Sequence, residues 1–312
     1  MEKVNQTSPE RFILLGLGSN FPYLQIIYFI VFLVMYIITL SGNLLLIIVV
    51  RINPKLNNPM YFFLSNLSII DACFSSTIVP KVLKNTLAID KSISLLGCAL
   101  QMYFSLALGS SECFILAVMA YDRFAAICRP LHYNTIMNKT LCVILAAGSW
   151  GISFLNSALH VVLTFRLPYC KSHHVNHFFC EVPPFFRLSC RDTLYNEVMM
   201  YIAAGIIAMC SFCLTLISYI HIISTILKIR SSHGRYKAFS TCASHLTVVS
   251  LYYGTIMFVY LRPRSTYSAE IDKTMSILYT AVIPMLNPII YSMRNKEVKS
   301  TIKGKQMKRE DL

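Results

Sequence analysis

MAYDRFAAICRPLHY, residues 119–133, sets an Asp-Arg pair, Asp122 and Arg123, at the end of a long apolar run and just ahead of Arg129 and Pro130. A charge is costly at the centre of a bilayer and less so toward its edge, so the pair is predicted at a helix end that meets water. An acid beside a base restrains it until another protein competes for it, which is the physics of a latch at a cytoplasmic surface. The plain alternative is a helix-end ion pair, worth about 0–1 kcal/mol.

The rest of the chain agrees with a membrane setting. Of 312 residues, 55% are hydrophobic and 13% charged, with a mean hydropathy of +0.58. Soluble domains carry roughly a quarter charged residues. About seven continuous apolar runs reach the ~20 residues that span a bilayer as a helix. Continuous rather than alternating runs argue against a closed barrel. The opening MEKVNQTSPERF lacks the basic-then-apolar pattern of a cleaved signal peptide, so the first span is predicted to direct insertion.

The net charge of +14 raises nucleic acid as a partner, but its distribution argues against it. Sixteen of the 28 Lys and Arg fall on one side of the spans, among them Arg51, Lys55, Arg129, Arg230, Arg235 and the run from Arg294 onward. Basic short loops mark the cytoplasmic face, and an odd number of spans then places the amino terminus outside. Membrane lipids of the inner leaflet explain the basic tail.

Three further stretches follow in order: PMYFFLSNLSIID (59–71), KAFSTCASHL (237–246) and PMLNPIIYSMRNKEV (284–298). Together with MAYDRFAAICRPLHY they resemble the hallmarks of vertebrate olfactory receptors of class II type, a branch of the rhodopsin-like G-protein-coupled receptors. Phe124 and Ala125 stand where that family usually has Tyr and Val, and Leu56-Asn57 where it has Leu-His. The resemblance implies an all-α membrane protein, a seven-transmembrane helix bundle with an extracellular amino terminus and a short amphipathic carboxyl-terminal helix. The expected organisation is an outer tail over residues 1–22, the bundle over 23–293, and a cytoplasmic tail over 294–312 with an eighth helix near Lys296 to Lys303. The family also implies a small volatile odorant as ligand and a heterotrimeric G protein with an olfactory, stimulatory α subunit that raises cAMP. Its site is the plasma membrane, in the family that of olfactory cilia.

Polar residues inside the spans are the next signal, because each needs a partner in hydrocarbon. Asn43, Asp71 and Glu112 are of this kind. Two carboxyls facing one cavity cannot both stay charged without a cation or a proton. The family relationship implies that Asp71 and Glu112 share a cavity with Asn287, so a Na⁺ or proton site is expected there. The alternative is two hydrogen-bonded acids that hold helices together. Pro288 removes a backbone hydrogen bond and leaves a joint in span seven. Tyr219 and Tyr291 join Asp122 and Arg123 as the expected switch residues at the inner end.

Four cysteines are predicted outside, Cys98, Cys170, Cys180 and Cys190, in an oxidising compartment. They allow three pairings that spacing does not resolve. The family pattern implies Cys98 with Cys180 and Cys170 with Cys190. HFFCE (177–181) resembles a segment proposed to bind Cu or Zn in the family, through His177, Cys180 and Glu181. A cystine sulfur is no thiolate ligand, so no metal is assigned. Asn5-Gln6-Thr7 is an N-glycosylation sequon in the outer tail, whereas Asn66 and Asn138 match the pattern by chance. Trp150 reads as a packing residue.

Gly-rich phosphate loops, HExxH and triad contexts are absent, so no enzymatic activity is expected. A transporter would also carry intramembrane acids, but no internal repeat is visible. Helical spacing plus the family register give the expected ligand face. It comprises Phe104, Ser105, Leu108 and Gly109 on span three, Met200, Ala203, Ala204 and Ile207 on span five, Tyr253, Ile256, Met257 and Tyr260 on span six, and Ile277 and Thr280 on span seven. This lining is apolar with a few hydroxyls, suited to a small hydrophobic volatile with one hydrogen-bonding group. No acid or base falls on these faces, so a charged ligand is expected to fit poorly.

Overall fold

The computed structural model describes residues 10–17, 21–170, 172–260, 268–294 and 298. Among them, seven helices are long and apolar enough to cross a membrane, in agreement with the seven-helix reading. They are α1 (Pro22–Ile52), α2 (Pro59–Leu87), α3 (Leu95–Cys128), α4 (Lys139–Phe165), α5 (Leu194–Leu227), α6 (Ser232–Tyr260) and α7. The last runs as Ala269–Ile277, a π-helical turn Leu278–Val282, and Ile283–Arg294. Asn5 and the expected eighth helix, save Val298, lie outside the described residues.

Helix starts follow from local chemistry. Pro22 and Pro59 occupy first-turn positions, where a missing N–H is no loss. The side chains of Asn58, Ser94 and Asn138 accept the backbone N–H of Tyr61, Gly97 and Leu141 at 3.3, 3.1 and 2.8 Å. Asn138 therefore serves as a helix cap. Asn66, the other sequon match inside the bundle, accepts the Trp150 Nε1–H at 3.2 Å, and Trp150 stacks on Phe154.

The α3 helix is the most buried of the seven and packs against α2, α4 and α5. Its outer end is tied down three ways. Cys98 is joined to Cys180, and Cys170 to Cys190 within the same loop. Gln101 donates to the Thr77 carbonyl of α2 at 3.0 Å and accepts the Cys180 N–H at 2.9 Å. A small sheet completes the cap: β1 (Arg11–Leu14) pairs antiparallel with β2 (Ser92–Ser94) and parallel with β3 (His174–Val175). Phe12 and Leu14 are fully buried beside Val175, Cys180 and Phe185. Part of the expected outer tail is thus built into the roof.

The α1–α7 contact explains Gly42-Asn43. Pro288 has no N–H to offer the carbonyl of Pro284, four residues back. Asn43 Nδ2 donates to that carbonyl at 3.1 Å, and also to the Thr39 carbonyl at 2.9 Å. Gly42 lets the helices close, since a Cβ there would meet the Pro288 ring at 3.0 and 3.2 Å. Gly42→Val is expected to destabilise the bundle by about 1–3 kcal/mol through overpacking, read as a lower thermal midpoint of the purified protein. An unchanged midpoint would show that the contact is slack.

Candidate functional site

A cavity of about 140 Å³ opens among the outer halves of α3 to α7 under the Cys170–Cys190 loop. From the expected ligand face, Ser105, Gly109, Met200, Ala204, Ile207 and Ile256 line it. Others do not. Phe104 is 41% exposed and packs edge-on against Tyr103 and Phe154 at the outside of the bundle. Leu108 is buried in the core. On α3 the cavity is met by Ser105, Leu106, Gly109, Ser110, Glu112 and Cys113, so the true face is rotated by about one residue from the expected one.

A rotation of similar size but opposite sense occurs on α6. Tyr252, Ile256 and Val259 face the cavity at i, i+4 and i+7, whereas Tyr253 is turned into the core and donates to the Cys113 carbonyl at 3.1 Å. Met257 and Ala203 are not among the lining residues, and Ala208 is. On α7 the π-helical turn shifts the register, so Tyr279 reaches the cavity in place of Ile277 and Thr280. Thr280 is buried and donates to the Ser276 carbonyl at 2.6 Å. The Tyr260 side chain lies outside the described residues.

The sequence reading missed the polar part of the lining. Asn156 and His160 face the cavity one turn apart on α4, and Glu181 reaches it from the loop. The signal was present: Asn and His within an apolar span face the interior for the same reason as Asn43. With Glu112 and Glu181 on its walls, the cavity carries two acids, which corrects the expectation of an uncharged lining.

Glu181 belongs to a compact polar network. Tyr279 donates to its Oε1 at 2.9 Å, Ser276 Oγ lies 3.0 Å from the Tyr279 hydroxyl and 3.3 Å from His177 Nε2, and His177 Nε2 lies 3.6 Å from Glu181 Oε2. Burial, with the positive charge of Lys273, pushes the His177 imidazole down to about 3, so this contact is not an ion pair at neutral pH. Burial raises the Glu181 carboxyl to about 7, despite the Tyr279 hydrogen bond. His177, Cys180 and Glu181, the weak metal candidates to which no metal is assigned, do not form a ligand set. Cys180 is in a disulfide, and among the described residues no three His, Cys, Asp or Glu side chains gather to hold a metal.

Deeper in the bundle, Asp71, Glu112 and Asn287 do come together, all three buried. Asn287 Nδ2 donates to Asp71 Oδ2 at 3.0 Å and also hydrogen bonds Glu112. Asp71 Oδ1, Glu112 Oε1 and the neighbouring Ser75 Oγ have no hydrogen-bond partner. Orphaned oxygens from carboxyl and hydroxyl groups form the donor set a hard cation takes.

At the inner end, Asp122 is fully buried and Arg123 pairs with it at 2.6 Å. Its second oxygen accepts the Tyr133 hydroxyl at 2.7 Å, so the quoted stretch closes on itself. Burial and the Asp122 carboxylate hold the Tyr133 phenol above its usual range, which keeps it a donor. Phe124 packs its ring against Tyr121 and His221, with the Arg129 guanidinium 6.0 Å from its centre. His245, from KAFSTCASHL, was not anticipated. Its Nε2 faces the Leu116 carbonyl at 3.1 Å and must carry the proton, so Nδ1 accepts the Tyr219 hydroxyl at 2.7 Å. The Tyr291 hydroxyl is buried without a hydrogen-bond partner.

The olfactory receptor family model matches residues 32–309 of the chain. Mouse (Mus musculus) olfactory receptor 5AR1 is 48% identical over 303 residues, 97% of either chain. Human (Homo sapiens) olfactory receptor 5G3 is 48% identical over 305 residues, 98% of this chain and 97% of the relative. The dog (Canis lupus familiaris) olfactory receptor-like protein OLF1 is 50% identical over 299 residues, 96% of each.

The pH response of Glu181 is open to a direct check. With its carboxyl raised from about 4.5 to about 7, the folded state holds a proton that the unfolded chain has released, so stability falls as pH rises through that window. Glu181→Gln is expected to flatten this part of the profile by no more than about 3 kcal/mol, seen in thermal midpoints across pH. Parallel profiles for both proteins would refute the assignment.

Proposed function

The chain belongs to the olfactory receptor family, and on that premise we propose that it binds a small, mostly apolar volatile in the outer cavity and so activates a stimulatory, olfactory-type G protein that raises cAMP. It is a multi-pass plasma-membrane protein and not an enzyme. The observation that carries the proposal is that one buried helix, α3, holds both the cavity wall at Ser105 to Cys113 and the Asp122–Arg123 pair. A ligand acts on such a device only by differential affinity for its two states. Binding favours the conformation in which the inner end of α6 moves outward, Arg123 leaves Asp122, and the carboxyl-terminal helix of a Gα subunit docks. In this reading the chain is an outer tail over residues 1–22, the bundle over 23–293 and a cytoplasmic tail over 294–312.

In this reading Asp71, Glu112 and Asn287 hold Na⁺ or a proton and so bias the same equilibrium. The orphaned oxygens of Asp71, Glu112 and Ser75 favour a cation. Tyr219, released from His245, and Tyr291, whose hydroxyl lacks a partner, are the groups that rearrange at the inner end.

Arg123→Ala is expected to abolish odorant-evoked cAMP while surface expression persists; a full response would remove the latch from the mechanism. Tyr133→Phe, which leaves one Asp122 oxygen without its donor, is expected to raise basal cAMP about two- to tenfold, a shift of roughly 0.5–1.5 kcal/mol for one hydrogen bond. Raising NaCl against choline chloride is expected to raise the thermal midpoint of the wild type and not that of Asp71→Asn. Equal responses would exclude a Na⁺ site there.

A further inference from the structure

The charges around the outer cavity are one-sided. Glu112 stands at its floor and Glu181 at its roof, and among the described residues no Lys or Arg lines it. Glu112 is engaged below by Asn287. Glu181 is 21% exposed and spends one oxygen on Tyr279, leaving acceptor capacity on a carboxylate that can take about four hydrogen bonds. His177 beside it carries no charge at neutral pH to neutralise it. Lys273, the nearby base on α7, is paired with Glu270 at 3.5 Å. Opposite these polar groups, Met200, Ile207, Ile256 and Val259 offer an apolar wall.

Resting on the reading of this cavity as the ligand site, we propose that it selects small hydrophobic amines. The ammonium pairs with Glu181, and the hydrocarbon body lies against Met200, Ile207 and Ile256. A charge-assisted hydrogen bond to a partly buried carboxylate offsets the ammonium's desolvation. A carboxylic acid of the same skeleton would enter as an anion beside two acids, with no cation among the described lining residues to receive it, so the cavity rejects it. Alcohols fall between, donating one neutral hydrogen bond.

The selection carries a pH signature. An alkylammonium keeps its proton to about pH 10, as lysine does, whereas the Glu181 carboxyl ionises near 7. Amine affinity therefore rises from about pH 6 to about pH 8 as Glu181 loses its proton. The ionisable groups around Glu181 are His177 of its own loop, Tyr279, Asp272 and Lys273 of α7, and His160 and Glu112 across the cavity.

The test uses primary amines from butyl to decyl, with the alcohol and carboxylic acid of each skeleton. Each is read by thermal stabilisation of the purified full-length receptor and by cAMP in cells. The best amine is expected to act at a concentration about tenfold below its alcohol, and its acid not at all, a gap of about 1.4 kcal/mol. Glu181→Gln is expected to bring the amine-to-alcohol ratio near one and abolish the pH slope, while Glu181→Asp keeps both. The proposal is overturned if no amine stabilises the protein, if acids match amines, or if the ratio survives in Glu181→Gln. It is equally overturned if Glu112→Gln or His160→Gln removes the preference instead. Amine stabilisation that depends on Glu181 but evokes no cAMP would sustain this selectivity and refute the signalling reading. A cAMP response to alcohols and acids alike would do the reverse.

Discussion

A carboxylate at the edge of hydrocarbon has to be matched on both oxygens, and Asp122 is the place where this protein meets that demand. Arg123 takes one oxygen and the Tyr133 hydroxyl the other. Burying a charge pair costs desolvation that is recovered only when geometry and hydrogen bonding are complete. The turn that brings Tyr133 back onto α3 is therefore part of the same interaction as the ion pair. Removing one member leaves the others buried and short of a partner, so the three groups are satisfied only together.

The same rule organises the interior. Pro288 frees a carbonyl on α7, Asn43 of α1 fills it, and Gly42 lets the helices come near enough for that bond. Gln101 does similar service at the outer end, holding α2, α3 and the loop through its two amide ends. In hydrocarbon these polar contacts specify which helices touch, since apolar side chains find lipid as acceptable as protein. Among the described residues, buried oxygens without partners gather around Asp71, Glu112 and Ser75. Incomplete satisfaction concentrated in one layer differs in kind from scattered defects.

How much could be read in advance follows the same division. The seven spans were legible because hydrophobic length is a one-dimensional property, and the buried acids because a charge inside a span is rare. The cavity face was legible only to within about one residue of rotation. Ser105 and Gly109 were found, but Phe104 and Leu108 were misplaced, because adjacent positions on a helix differ by about 100° and apolar residues cover both sides in lipid. The α7 residues failed for a sharper reason: the π-helical turn breaks the period that any extrapolation assumes. Glu181 was noticed only within a segment to which no metal was assigned, and its place in the roof went unseen, since that depends on how the Cys98–Cys180 tie folds the loop inward. Strand β1 was invisible, for RFIL has no alternation to distinguish it from a tail.

Along α3, the positions that matter stand in one row. Glu112, Leu116 and Arg123 are separated by four and seven residues, so they share a helix face, with the cavity floor at one end and the latch at the other. Between them the Leu116 carbonyl receives His245 of α6, which in turn holds Tyr219 of α5. An outward swing of the inner end of α6 would pull His245 from both partners at once. Both bonds run through one fully buried imidazole. One imidazole thus ties α3, α5 and α6 together midway between the cavity and the Asp122–Arg123 pair.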